Sequence, residues 1–154
     1  MNKLLLFVLL ICSFRVCLAQ TYPGKPFEAA EKAFALQDYK SALKSLGKAQ
    51  KYMTTPALKI WYLANEARYL ESMGRFKEMN DRLLQATTQL KSLSDTTATA
   101  GWAILALCQA HTAYGSAAKA LPLAEKAQQF APSDTNLYLS ASYQKALLLH
   151  ELGD

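Results

Sequence analysis

The chain has no glycine-rich phosphate loop, no paired-histidine metal motif and no nucleophile elbow. Each of those patterns carries a particular chemistry, so no familiar route to nucleotide binding, metal catalysis or serine-type hydrolysis is written here. Cysteine is scarce as well. Of the three present, Cys12 and Cys17 lie near the start, and Cys108 stands alone in the rest. A single thiol forms no internal disulfide, so stability must come from packing. No Asn-x-Ser/Thr acceptor occurs either. Bases outnumber acids by 17 to 12, but they are scattered and never interleaved with aromatics. Neither a nucleic-acid interface nor a membrane-surface patch is indicated. The 154 residues suffice for one buried core, not two.

What is present at the start is a targeting pattern. Lys3 supplies a positive charge, Leu4 to Phe14 is apolar except for Ser13, and Ala19 closes the segment with a small residue. That order of charge, apolar run and small-residue cleavage site is a secretory signal peptide. Residues 1–19 are therefore predicted to be removed, with a mature start at Gln20 or Thr21 and export to the periplasm or beyond, in the bacterial manner. The apolar run of 11 residues is well short of the roughly 20 that span a bilayer. The other reading of the same stretch is an uncleaved anchor. Cys12 follows Ile11 and Cys17 follows Val16, so neither has the small neighbour a lipidation site needs. The mature chain would carry 15 bases against 12 acids and no membrane segment.

The rest of the sequence repeats itself. Tyr39, Ala42, Leu43, Leu46, Ala49 and Met53 recur at offsets of 3, 4, 7, 10 and 14. Phe76, Met79, Leu83, Ala86, Leu90 and Leu93 form a second such series, and Ala117, Ala120, Leu121, Ala124, Ala127 and Phe130 a third. Each spacing suits a helix with one buried stripe and none suits a strand. Tyr39, Phe76 and Phe130 are accordingly assigned to the core. A turn and another apolar helix precede each series. The turns Gln37-Asp38, Gly74-Arg75, Gly115-Ser116 and Gly153-Asp154 begin 37, 41 and 38 positions apart. Glycine fits there because it takes the left-handed backbone that ends a helix before a reversal. Thr54-Thr55-Pro56, Ser94-Asp95-Thr96-Thr97 and Pro132-Ser133-Asp134-Thr135 read as breaks with caps. Seven helices follow, at 26–36, 39–53, 56–73, 76–93, 98–114, 117–131 and 136–152.

This pattern resembles the tetratricopeptide repeat. Gly101 to Asp134 has that family's 34-residue length. Gly115 falls at the inter-helix turn, Ala120 and Ala127 at the close-packing points of the second helix, and Pro132 at the end. The first unit offers Asp38-Tyr39, Ala42 and Ala49 in matching places, and the second Gly74, Phe76 and Ala86. Met79 replaces a small residue, Ala117 stands where an aromatic is usual, and Pro122 lies inside a helix that it should bend. The resemblance covers residues 22–154. It implies an all-α, right-handed solenoid of antiparallel helix pairs, about three and a half repeats long, with the last one incomplete.

The resemblance also implies a concave face. Trp61, Arg68, Glu71, Trp102, Gln109, Thr112 and Tyr143 fall on it, and an exposed aromatic and arginine set suits partner binding. The competing reading is that both tryptophans seal the hairpins against each other. The peptide-carboxylate clamp of some relatives does not carry over. Asn65 fills one of its positions, but Phe27, Glu31, Trp102 and Ala106 stand where it needs polar or basic groups. Cys108 and His111, three apart on one helix, form the only constellation with chemical potential. No third ligand or orienting carboxylate stands beside them at helical spacing, and Cys108 falls at a packed position. The expectation is a chain without catalytic residues, metal or cofactor that binds a protein or peptide. The second reading is the regulatory front of a longer exported enzyme or sensor, such as a caspase-like peptidase or histidine kinase. The final helix lacks a second helix to cover it. Leu137, Leu147, Leu148 and Leu152 are expected not all to be covered, which points to self-association.

Overall fold

The computed structural model describes residues 25–94, 96–130 and 134–153; the signal segment proposed for residues 1–19 lies outside them. Among the described residues there are seven α-helices and no strand. They are α1 (Lys25–Ala35), α2 (Tyr39–Ala49), α3 (Pro56–Ser72), α4 (Phe76–Lys91), α5 (Ala98–Ala113), α6 (Ala117–Gln129) and α7 (Thr135–Leu152). The second helix is shorter than its stripe suggests, because a 3-10 turn takes over at Gln50–Tyr52. The helix α6 runs through Pro122 without a break. No helix is long and apolar enough to cross a membrane, among the described residues.

The starts and stops follow from local chemistry. Asp38, Thr55, Thr97 and Asp134 are the N-caps of α2, α3, α5 and α7, each accepting from an otherwise orphaned amide three residues on. The turns after α1, α3 and α5 share one geometry. The N–H groups of Arg75 and Gly74 donate to the carbonyls of Leu70 and Glu71 at 2.9 and 2.8 Å. Ser116 and Gly115 repeat this on His111 and Thr112, and Asp38 and Gln37 on Ala33 and Phe34. This paired closure needs a left-handed residue. Gly74 and Gly115 supply it at φ +71° and +70°, and Gln37 takes it at +61° despite its side chain.

Packing runs from each helix to the next and, beyond it, from α3 to α5 and from α5 to α7. The buried stripes are largely those the spacing named: Ala42, Leu46 and Ala49 on α2, Met79, Leu83 and Ala86 on α4, and Ala117, Ala120, Ala124 and Ala127 on α6. Phe76 departs from the expectation and is 53% exposed. It is the first residue of α4, and a helical side chain leans over the turn preceding its own Cα. The turn before it is Gly74-Arg75, which carries little side-chain cover. Tyr39 and Phe130 are half-buried.

The α1–α3 and α3–α5 seams between first helices of the pairs differ. Between α1 and α3 the contact is aromatic. Phe27 meets Trp61 edge-on at 4.7 Å, and Phe34 stacks on Tyr69 at 4.6 Å. The Tyr69 hydroxyl donates to Glu31 Oε1 at 2.8 Å across the same seam. Between α3 and α5 the backbones lie closer. Ala57, Ala64 and Ala67 from α3 and Ala100, Ala103, Ala106 and Ala110 from α5 share one core, and small side chains are what permit a close helix approach. The opposite side of α5 belongs to a second core. Trp102, Ile104, Leu105 and Cys108 pack there with Ala120, Ala124, Leu137 and Leu148 of α6 and α7. Thus α5 is enclosed on both flanks.

Candidate interaction surface

The residues expected on a concave face lie on α3, α5 and α7 and are not equally free. Both tryptophans are buried, Trp61 at 4% and Trp102 at 7% exposure. This corrects their assignment to an open groove. Trp61 is wedged against Phe27. Trp102 donates its indole N–H to Asp134 Oδ2 at 2.9 Å, while Asp134 Oδ1 caps α7 through Leu137 N–H at 3.0 Å. One carboxylate therefore ties α5 to the start of α7. Their role is to lock neighbouring helix pairs, the sealing function weighed against the groove reading.

The polar members are half-buried, and Arg68, Thr112 and Glu71 are engaged within the fold. Arg68 donates to Asn65 Oδ1 at 2.9 Å, and its guanidinium lies 5.1 Å from the Phe34 ring centre, so it bridges α3 and α1. Thr112 donates to the Cys108 carbonyl at 3.0 Å and accepts from Gln144 Nε2 at 3.0 Å, joining α5 to α7. Glu71 and Gln109 are also half-buried, the former accepting a long 3.4 Å bond from Ser72. Only Tyr143 of the set is openly exposed.

Tyr143 belongs to a surface that the sequence named only in part. On α7 the buried face is Leu137, Ala141, Gln144 and Leu148. Among its other apolar side chains, Leu139, Tyr143 and Leu147 stand four apart and face solvent, Leu139 at 59% and Leu147 at 43% exposure, while Leu149 is half-buried. Tyr138 and Leu152 flank them, also exposed. The expectation that the terminal leucines are not all covered is met by Leu147 and Leu152. Leu137 and Leu148, in contrast, are packed against the preceding helices. Lys145 on α7 pairs with Glu125 on α6 at 2.9 Å, and Gln128 of α6 bonds Ser142 at 2.8 Å, which fixes the helix with this stripe outward.

The thiol and imidazole are placed by packing. Cys108 is fully buried, its Sγ 3.3 Å from the Ala120 carbonyl, and burial pushes the thiol from its usual 9.0 up to about 12. A nucleophilic cysteine needs the reverse shift. Burial, then the nearby Lys119 charge, holds His111 below its ordinary value. Among the described residues no cluster of three His, Cys, Asp or Glu side chains could hold a metal. Two consequences for Cys108 can be measured. Iodoacetamide is expected to label the native chain far more slowly than the denatured one; equal rates would place the thiol at the surface. Because the folded thiol titrates higher than the unfolded one, its contribution to stability is complete below pH 9 and lost as pH rises toward 12. Cys108→Ala should therefore flatten the alkaline arm of a stability-versus-pH curve.

Half-buried Glu66 makes the other notable charge contact, pairing with Arg82 at 2.7 Å between α3 and α4. Burial outweighs the arginine and keeps the Glu66 carboxyl above its ordinary value. The pair braces a hairpin, and Tyr62 lines the same pocket beside it. No family model, curated protein or solved structure matches the chain, so its role must be sought in the chemistry of its own surface.

Proposed function

We propose that the chain is an exported, non-catalytic interaction module, a right-handed solenoid of about three and a half tetratricopeptide-like helix pairs that docks a protein partner. The observation that carries this reading is the exposed Leu139–Tyr143–Leu147 stripe on α7, opposite that helix's buried face. Apolar side chains aligned along a helix and left in water favour association. The three superposable turns and the packing of α3 on α5 and α5 on α7 support the repeat architecture. Export rests on the charge, apolar run and Ala19 of the first residues.

The first partner to test is a second copy of the chain. Sedimentation of the mature protein at several concentrations should show a monomer–dimer equilibrium, weakened by Leu139→Glu combined with Leu147→Glu. Leu148 is unsuitable for this test, since it is buried and its replacement would unfold the helix. A monomer throughout, with α7 amides exchanging as slowly as those of α5, would mean that α7 needs no cover and would overturn the docking role. For export, the terminus of material recovered outside the cytoplasm should begin at Gln20 or Thr21. An intact Met1 there would contradict cleavage.

A further inference from the structure

A groove between α4, α5 and α6 encloses about 560 Å³, within the range of roughly 300–1,000 Å³ typical of small-ligand sites. Its chemistry changes along its length. Leu83, Leu84 and Leu90 from α4, Leu107 from α5, and Pro122 and Leu123 from α6 make a mainly apolar trough, interrupted by Thr87, whose hydroxyl is turned to the Leu83 carbonyl. Asn80 near the start of α4, His111 and Tyr114 near the end of α5, and Ser116 and Lys119 at the start of α6 make the polar portion. Consecutive helices joined by short turns run in opposite directions, so these polar residues gather at one end. From Asn80 to Leu90 the trough extends ~15 Å along α4 at the helical rise.

Three observations say what such a groove would take. Among the described residues its walls contain no Asp or Glu, and Lys119 is the one lining side chain of permanent charge. His111 is only 8% exposed, and its Nδ1 is buried without a hydrogen-bond partner among the described residues. A buried polar atom left unpaired costs free energy, and the same ring lines the groove. Lys119 and His111 both line the groove at its polar end, and the Lys119 charge is felt by the imidazole.

We propose that this groove binds an aliphatic carboxylate, with the carboxylate at Lys119 and His111 and the alkyl chain along Leu84, Leu90 and Leu123. The ammonium and an imidazole N–H donate to the two carboxylate oxygens, and the chain leaves water against the leucines. The face is distinct from the α7 stripe, so occupancy and partner docking are separate properties.

The test is calorimetric titration of the full protein with decanoate below its micelle concentration, beside decyltrimethylammonium as a chain of equal length and opposite charge. Decanoate should bind at one site and the cation should not. Lys119→Glu alters an exposed side chain and should weaken decanoate by about tenfold or more. Leu84→Glu, an exposed side chain at the groove's edge, should weaken it as well, and unchanged circular dichroism verifies the fold of both. The His111 ring provides a readout that a merely structural role would not move. Its NMR titration should shift upward on saturation with decanoate, because the carboxylate offsets Lys119. Equal binding of both amphiphiles, or decanoate affinity unchanged by Lys119→Glu, would reduce the groove to a nonspecific apolar surface and overturn the assignment. Displacement of decanoate by a short apolar peptide of higher affinity, with a free C-terminus, would overturn the alkyl identity of the ligand.

Discussion

Replacing Trp61 with alanine is expected to lower folding stability by about 3–5 kcal/mol, the usual cost of removing a buried indole. The ring is 4% exposed and meets Phe27 edge-on at 4.7 Å, so its loss empties the seam between α1 and α3. Chemical denaturation followed by circular dichroism reads the effect as a lower midpoint. A tryptophan standing in an open groove would change stability by only about 0.5 kcal/mol, and a shift that small would return Trp61 to the surface. Trp61→Phe should recover part of the loss, since an aromatic edge is kept against Phe27.

Leu105→Ala and Leu107→Ala are each expected to cost about 2–5 kcal/mol, although they point to different sides of one helix. Both are fully buried, Leu107 in the core shared with α3 and Leu105 in the core shared with α6 and α7. In an amphipathic surface helix one of two such positions faces water and its truncation is nearly silent. If either variant unfolds at the wild-type denaturant concentration, α5 is open on that flank. The two losses should also be nearly additive, because the side chains share few neighbours.

The periodic parts of this fold were legible because α2, α4 and α6 each have one wet side. Alternation between polar and apolar residues then reports which way a helix faces, and Ala42, Met79 and Ala120 were found where that logic put them. The repeated turn was legible from Gly74 and Gly115, and even from Gln37-Asp38, where glycine is absent. The helix α5 gave no such direction. Its residues 100 to 108 are all buried, and a helix covered on every side has no periodic signal to read. The tryptophans failed for another reason. Whether Trp61 is exposed depends on Phe27 one helix earlier, and Trp102 on Asp134 at the next cap. Neither partner lies at a spacing that local periodicity can relate. The exposed stripe on α7 was half visible, since Leu147 and Leu148 are adjacent and only packing decides which is covered. The groove at His111 was invisible because three helices must come together to form it.

The enclosure of α5 also governs what happens when the protein comes apart. Residues 98–113 contain no Asp, Glu, Lys or Arg, and Trp102 to Cys108 is a seven-residue window without charge or proline. In the folded chain that window is silent. Once α3 or α6 lifts away, it becomes a sticky segment with no like-charge repulsion to keep two molecules apart. Heated chains are then expected to coalesce faster than they refold, so that the temperature at which ellipticity is lost depends on heating rate and concentration. Urea or guanidinium keeps the opened chain dispersed, which is why the midpoints above belong in denaturant and not in a thermal scan.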